Sequence, residues 1–316
     1  MKKLIIQIPC HNEAETLPIA LKELPREVPG FDKVEWMIIA DGCTDDTIAV
    51  AKENGVDHVV DLVHHMGLAR GFMAGLDACL RLGADVIVNT DADNQYCAAD
   101  IPKLVEPVLN GEASIVVGTR PISEIEHFSP LKKTLQKLGS WVVRFASDTD
   151  VGDAPSGFRA IKRDAAMQLN VFSEYTYTLE TIIQAGQKNI TITSVPIRTN
   201  GFLRPSRLMK SMSSYIQRSI LTILRIFITY RPLKFMLLAG SIPFIAGVIL
   251  GLRWVVLFFI EGGTRTHLPS LILTAVFLLT GVLVWVMGLI GDLIAVNRKL
   301  LEDIQLRVKR IEYEKQ

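Results

Sequence analysis

Val86-Ile87-Val88-Asn89-Thr90-Asp91-Ala92-Asp93-Asn94-Gln95 is an apolar run that stops in two closely spaced carboxylates. A short continuous apolar run of this kind reads as a buried strand, here one that delivers acids at its carboxyl end. Leu4–Ile8, Trp36–Ala40 and Ser114–Val117 read the same way. Between these runs, Glu15–Leu24, Thr44–Asn54, Ala69–Leu82 and Ala99–Asn110 carry apolar residues at helical spacing. Alternating strands and helices predict an α/β domain, a Rossmann-like and mostly parallel sheet with helices on both faces. Ligands of such sheets sit beyond the carboxyl ends of the strands. Pro9-Cys10-His11-Asn12-Glu13, Asp41 and Asp91–Gln95 all fall at those ends, so three separate segments converge on one crevice.

The 316 residues suffice for one large domain and a small one. Hydrophobic residues make up 49% and the net charge is +1, which removes the basic excess expected of a nucleic-acid binder. Cys10, Cys43, Cys79 and Cys97 form no C-x-x-C pair and no metal-ligand spacing with histidine, as in a reduced, cytoplasmic setting. Met1–Pro9 has two lysines and an apolar run too short for a secretory leader. It is expected to be the first strand, with the soluble part in the cytosol.

Charge falls away after Pro232. Leu233–Ile260 and Leu268–Val296 each exceed the about 20 residues that cross a bilayer, with Glu261–His267 as the turn between them. This predicts a two-helix transmembrane hairpin over 233–296, with spans near 235–259 and 268–292. Arg231 and Lys234 before the first span and Arg298 and Lys299 after the second place both ends on the cytoplasmic side of the inner membrane. Arg253 sits near the far end of the first span, where it can snorkel outward or face a partner helix or lipid phosphate. Ahead of the spans, residues 206–232 read as amphipathic juxtamembrane helices. Arg207, Lys210, Arg218 and Arg225 lie within roughly 80° of one another and apolar residues occupy the other side. Residues 297–316 form a charged tail in which Asn297, Leu301, Ile304, Val308 and Ile311 repeat at heptad-like spacing. Docking on the soluble domain (residues 1–205) and contacts in a homo-oligomer are both open to it.

Two carboxylates at a strand end suit a hard cation such as Mg²⁺ or Mn²⁺, which takes oxygen ligands and keeps positions for diphosphate oxygens. One acid ligates the metal while the other reaches a ribose hydroxyl or a ligand water. Asp93 is assigned to the metal and Asp91 to the nucleoside side. The motifs and their order resemble family 2 glycosyltransferases of the GT-A fold, specifically polyprenyl-phosphate sugar transferases related to dolichyl-phosphate mannose synthase. The resemblance runs from Leu4 to about Leu208. Pro9-Cys10-His11-Asn12-Glu13 is similar to the P-x-Y-N-E opening, with His11 in place of the aromatic. Asp41-Gly42-Cys43-Thr44-Asp45-Asp46-Thr47 resembles D-D-G-S-x-D-x-T, with Ala40 where the first acid stands. Gly118-Thr119-Arg120 resembles the later G-S-R turn, and Asp153-Ala154-Pro155-Ser156-Gly157-Phe158-Arg159 the D-x-x-S-G-F-R signature of the acceptor side.

The resemblance implies that Pro9, Glu13 and Asp41 line the base and ribose pocket. It implies that Asp91, Asp93 and Gln95 surround metal and diphosphate, with Asp91 and Asp93 as metal ligands. Glu13 and Asp41 also precede helical patterns, so helix capping is a parallel role for each. His11 can stack on a base or serve the structure alone. Asp153 is the acceptor-side candidate, either as a base or as a positioning group. A lipid phosphate needs cations, and Arg120, Ser156, Arg159, Arg204 and Arg207 are the candidates to hold it, whereas Arg198 suits a surface salt bridge. The expected function is metal-dependent, inverting transfer of one sugar from a UDP- or GDP-hexose to an undecaprenyl or dolichyl phosphate. Two rivals remain. A processive polysaccharide synthase would carry Q-x-x-R-W, and Gln217-Arg218 has no such tryptophan. A noncatalytic nucleotide-sugar-binding membrane protein would not need its acids intact.

Overall fold

The computed structural model describes residues 1–121, 144, 149, 151–171, 177–201, 225, 228–230, 232–260 and 268–314. Seven strands form one sheet: β1 (Lys3–Cys10), β2 (Lys33–Asp41), β3 (His58–Leu62), β4 (Val86–Asn89), β5 (Ile115–Thr119), β6 (Arg159–Lys162) and β7 (Ile192–Pro196). Their order is β3-β2-β1-β4-β6-β5-β7. The first four are parallel neighbours, as are β5 and β7, while β6 runs antiparallel between β4 and β5. The sheet is therefore mixed, mostly parallel, and has three more strands (β3, β6 and β7) than the apolar runs alone indicate.

Helices α1 (Leu17–Glu23), α2 (Thr47–Glu53), α3 (Leu68–Arg81) and α4 (Ile101–Leu109) fill the crossovers. Two shorter ones follow, α5 (Arg163–Gln168) and α6 (Thr178–Gln187). Alternation along β1 explains the layers. Leu4, Ile6 and Ile8 join one buried cluster with Leu17 and Leu21 of α1 and Leu104 and Val105 of α4. Gln7 points to the opposite face, where Gly75 of α3 packs so close that a Cβ would sit 2.5 Å from the Gln7 amide oxygen. Ile5, Ile6, Ile8, Met37 and Ile38 are wholly buried, each worth about 1.5–3 kcal/mol relative to exposure.

The strand order reverses between β1 and β4, and a crevice opens at such a switch point. Pro9–Glu13 and Asp91–Gln95 follow the two strands that border it. Because β6 is antiparallel, the loop before it reaches the same edge. Arg159 pairs in register with Asn89 of β4 and Val117 of β5, which brings Asp153–Phe158 to the carboxyl ends of the parallel strands.

The chain divides into two compact units, Met1–Ser219 with Ile304–Gln316, and Ile220–Asp303. In the second, α7 (Pro232–Ile260) and α8 (Leu268–Glu314, unbroken into the tail) are long and apolar enough to cross a membrane, with mean hydropathies of 2.2 and 2.4 in their most apolar windows. They meet through small residues. A Cβ on Gly281 would lie 2.7 Å from Phe244 Cβ and 2.9 Å from the Gly240 carbonyl, and the Trp285 indole donates to the Leu237 carbonyl at 3.1 Å. Arg253 and Asp292 are both exposed on these helices. Within the first unit the tail docks on α3 and α5. The Tyr313 hydroxyl donates to Asp77, Arg81 pairs with Glu312 at 2.6 Å, and the Lys309 ammonium donates to the Met167 carbonyl at 3.4 Å. Of the juxtamembrane segment 206–232, Arg225, residues 228–230 and Pro232 fall among the described residues, all helical.

Candidate active site

Asp41 ends β2 with its carboxylate buried, and the chain after β3 wraps around it. The Met66 and Gly67 amides donate to its two oxygens at 2.6 and 2.9 Å, and His65 Nδ1 lies 2.9 Å away. Asp41 therefore holds the entry to α3 rather than capping α2, the helix that follows it in sequence. Gly42 makes this crossing possible: its φ is +59°, and a Cβ there would fall 2.3 Å from the His65 nitrogen. His11 Nδ1 donates to the Asp41 carbonyl at 2.7 Å, and its ring lies 4.0 Å from that of His65.

Glu13 is nearly buried. Its carboxylate accepts from the Thr16 hydroxyl at 2.6 Å and its amide donates to Thr47 Oγ1 at 2.8 Å, so it ties the β1 loop to α2. Pro9 lies within β1, in register with Ile39. Asn12, at φ 56°, accepts from the Thr44 amide at 2.8 Å. Asp45 receives the Ala14 amide at 3.1 Å. The P-x-H-N-E and D-G-C-T-D segments thus form one hydrogen-bonded rim.

Asp91 and Asp93 are half-buried beyond β4. Burial is the main cause that raises the Asp91 carboxyl well above the ordinary carboxylate range. The neighbouring Asp93 charge adds to this and Arg120 opposes it. Glu13 acts on Asp91 in the same sense, which places acids from two loops in one field. Asp93 accepts the Gln95 amide at 3.1 Å, and the Gln95 carbonyl accepts from Asn200 at 2.9 Å. That second bond belongs to a strap: the Arg198 amide and guanidinium bind buried Asp100 at 2.7 and 2.8 Å, so Arg198 is a salt-bridge partner. Among the described residues no three His, Cys, Asp or Glu side chains converge to hold a metal. A cation at Asp91 and Asp93 would need further oxygens from its ligand.

In the loop before β6, Asp153 pairs with Arg120 in a bidentate contact at 2.7 and 3.0 Å, with Asp153 wholly buried. Arg159 is wholly buried too. It donates to the Ser156 carbonyl at 2.8 Å, the Ala154 carbonyl at 2.9 Å and the Thr181 hydroxyl, and burial lowers its pKa. The guanidinium is a tie that shapes residues 153–159. Ser156 Oγ is buried with no hydrogen-bond partner among the described residues. Arg204 and Arg207 lie outside the described residues.

Three residues without an assigned role in the sequence reading bind these halves together. Gln7 donates to Asn89 at 3.0 Å, and the Asn89 amide donates to the Gly157 carbonyl at 2.9 Å and the Tyr177 hydroxyl at 2.8 Å. Tyr177 stacks on Phe72 of α3 with centroids 3.8 Å apart. The Gly157 backbone is thereby pressed against Asp91: a Cβ on Gly157 would lie 3.2 and 3.3 Å from its two carboxylate oxygens. The signal available beforehand was Gln7 and Asn89 themselves, amides inside apolar strands.

The fold is that of glucosyl-3-phosphoglycerate synthase from Mycobacterium tuberculosis, solved with Mn²⁺, UDP and glucosyl-3-phosphoglycerate. The TM-score is 0.54 at 20% identity, over 70% of this chain and 80% of that one. UDP-N-acetylglucosamine–dolichyl-phosphate N-acetylglucosaminyltransferase of Methanococcus voltae is 30% identical over 223 residues, 63% of this chain and 86% of the relative. Polyprenol monophosphomannose synthase of Mycolicibacterium smegmatis is 25% identical over 62% of this chain and 77% of its own length. Undecaprenyl-phosphate 4-deoxy-4-formamido-L-arabinose transferase of Photorhabdus laumondii is 25% identical over 97% of this chain and 92% of its own, so that match extends through both apolar helices. The family model for glycosyl transferase family 2 matches residues 5–169, more than half of the chain, and the protein belongs to that family.

Proposed function

We propose that this glycosyltransferase moves one sugar from a nucleotide-sugar donor to a polyprenyl phosphate at the cytoplasmic face of a membrane, with inversion at the anomeric carbon. The observation that carries the reading is the crevice in which the Asp91–Asp93 pair abuts the Asp153–Arg159 loop, in a chain that ends in two bilayer-length apolar helices. The named activities of the relatives support it.

The residues fit a hard divalent cation. Asp91 is crowded by burial and by Asp93, and its raised pKa marks a carboxylate that lacks sufficient positive charge nearby. Asp91 and Asp93 would hold Mg²⁺ or Mn²⁺, which neutralises a departing diphosphate. Pro9, Glu13 and Asp41 form the nucleoside side, and Gln95 holds the Asp93 loop. A phosphate acceptor is an anion already and needs no general base. The engagement of both Asp153 oxygens by Arg120 supports positioning as the role of Asp153: it fixes Arg120 beside the reacting centre, where the guanidinium offsets developing charge. Arg159 and Ser156 shape the acceptor loop, and Arg204 and Arg207 are assigned to the lipid phosphate. The phosphate oxygen attacks from the face opposite the nucleotide. Residues 1–205 form the catalytic domain in this reading, and 206–316 the membrane-associated part, with both ends cytoplasmic.

The test is a donor panel with purified protein, undecaprenyl phosphate and Mg²⁺ or Mn²⁺, reading lipid products by mass. One sugar added from one donor is expected. A polymer, or donor binding without any product across the panel, would overturn the reading.

A further inference from the structure

The turn that carries Asp93 is gripped by a segment about a hundred positions away. Asn94 takes φ 55°, a left-handed conformation that asparagine visits more readily than other residues with a side chain. The peptide between Asn94 and Gln95 is held at both ends. Its N–H, on Gln95, donates to Asp93 Oδ1 at 3.1 Å. Its carbonyl, on Asn94, accepts from the Asn200 side-chain amide at 3.1 Å. A peptide unit is planar, so whatever fixes the carbonyl also fixes the direction of the N–H. The Asn200 side chain thus acts on the Asp93 carboxylate through one rigid group.

The backbone around Asn200 does not need that side chain to stay in place. Thr199 bridges Tyr96 in antiparallel fashion, and the Cys97 amide donates to the Arg198 carbonyl at 3.3 Å. The Asn200 amide donates to the Gln95 carbonyl at 2.9 Å, and the Ile197 amide to the Thr119 carbonyl at 3.0 Å. Arg198 is tied to Asp100 as well. The Asn200 side chain has a second partner, the carboxylate of Glu23 on the exposed face of α1, at 2.9 Å. Its amide nitrogen therefore spans from a helix to the turn beside Asp93.

We propose that Asn200 is a positioning residue for the divalent cation. It sets the peptide plane that fixes one oxygen of Asp93 and so keeps the carboxylate oriented to ligate, with Glu23 orienting Asn200 in turn. This rests on the proposed metal at Asp91 and Asp93.

The experiment is titration calorimetry of the purified full chain with UDP and with GDP, each in Mn²⁺ and in EDTA. The ratio of the two affinities isolates what the metal contributes. Asn200→Ala should lower that ratio about tenfold, the lower end of the loss when a partner that orients a metal ligand is removed, with the affinity in EDTA kept. Asn200→Asp sets an acceptor against the Asn94 carbonyl and the Glu23 carboxylate, and should lower the ratio at least as far. Glu23→Ala should lower it less, and should add nothing in the double variant with Asn200→Ala, because both act through one side chain. An unchanged ratio in both Asn200 variants would overturn the proposal. Equal losses in Mn²⁺ and in EDTA would overturn it too, since a merely structural role moves both. A parent that gains no affinity from Mn²⁺ for either nucleotide would remove the metal reading and this role with it, whereas a parent that gains it beside unaffected variants would refute the role of Asn200 alone.

Discussion

Gly157→Ala probes how tightly the loop before β6 is set against Asp91. The Gly157 backbone is not among the positive-φ positions, so alanine fits its conformation and the effect is steric. The new methyl would lie 2.8 Å from the Tyr177 hydroxyl and 3.2 and 3.3 Å from the Asp91 oxygens. Overpacking of this order costs about 1–3 kcal/mol. Which neighbour yields decides the consequence. Tyr177 is held by its stack on Phe72 at 3.8 Å and by the Asn89 amide at 2.8 Å, whereas among the described residues no hydrogen bond ties the Asp91 carboxylate. Asp91 is therefore the group that moves. A misplacement approaching 1 Å at a reacting centre costs on the order of 100-fold, and a shift of a few tenths of an ångström should lower kcat about tenfold.

The assay pairs turnover with thermal stability in the single variants and in Gly157→Ala/Tyr177→Phe. Tyr177→Phe alone keeps the ring but leaves one buried Asn89 N–H without its acceptor, at about 1–3 kcal/mol. In the double variant the 2.8 Å contact is gone, so its stability loss should be smaller than the sum of the two singles. The contacts to Asp91 persist, so turnover should stay low. Wild-type turnover in Gly157→Ala would refute the reasoning. Turnover that recovers in the double variant together with stability would refute it equally, because it would make Tyr177 rather than Asp91 the group displaced.

Asp93→Asn should abolish turnover and leave the melting temperature within about a degree or two of the parent, since the side-chain oxygen that accepts the Gln95 amide survives the change; activity assay and thermal melt read the two separately. Gly281→Leu should destabilise the detergent-solubilised chain by about 1–3 kcal/mol, because its side chain enters space held by Phe244 Cβ at 2.7 Å; an unchanged melt would remove the close helix crossing. Glu35 offers a pH test. Burial opposes its ionisation, but hydrogen bonds from Lys33, His58 and Lys3 outweigh that and bring its pKa down to about 2. The unfolded chain then binds more protons than the native one between the ordinary glutamate pKa and about 2, so this contribution is complete above the former and lost as pH falls. Glu35→Gln should lower stability at neutral pH by about 1–2 kcal/mol, discounted because its lysine partners are partly exposed, and flatten the acid limb of the unfolding curve.

Legibility in this chain follows burial and direction. The runs behind β1, β2, β4 and β5 are readable because central strands covered on both faces need uninterrupted apolar sequence. β3 and β7 are the two edges, only half-buried, and His58-Val59-Val60-Asp61-Leu62 and Ile192-Thr193-Ser194-Val195-Pro196 have no such run. β6 is short and opens with an arginine, which hid it, although its direction is what brings the Ser156-Gly157-Phe158 loop to the crevice. Motif matching located that loop without its reason for being there. Charge alone also misleads about role. Arg159 is attractive as a phosphate ligand in sequence, yet three protein oxygens enclose it, and Asp153 and Arg120 are one ion pair across 33 positions. Acids at strand ends mark where chemistry gathers, because open ends are where ligands fit. Gln7 and Asn89, amides that a buried strand must satisfy, mark which loop is fixed against those acids. Tyr177 gives no local sign of this, since its partners are 20 and 88 residues away and only the closed sheet brings them within reach.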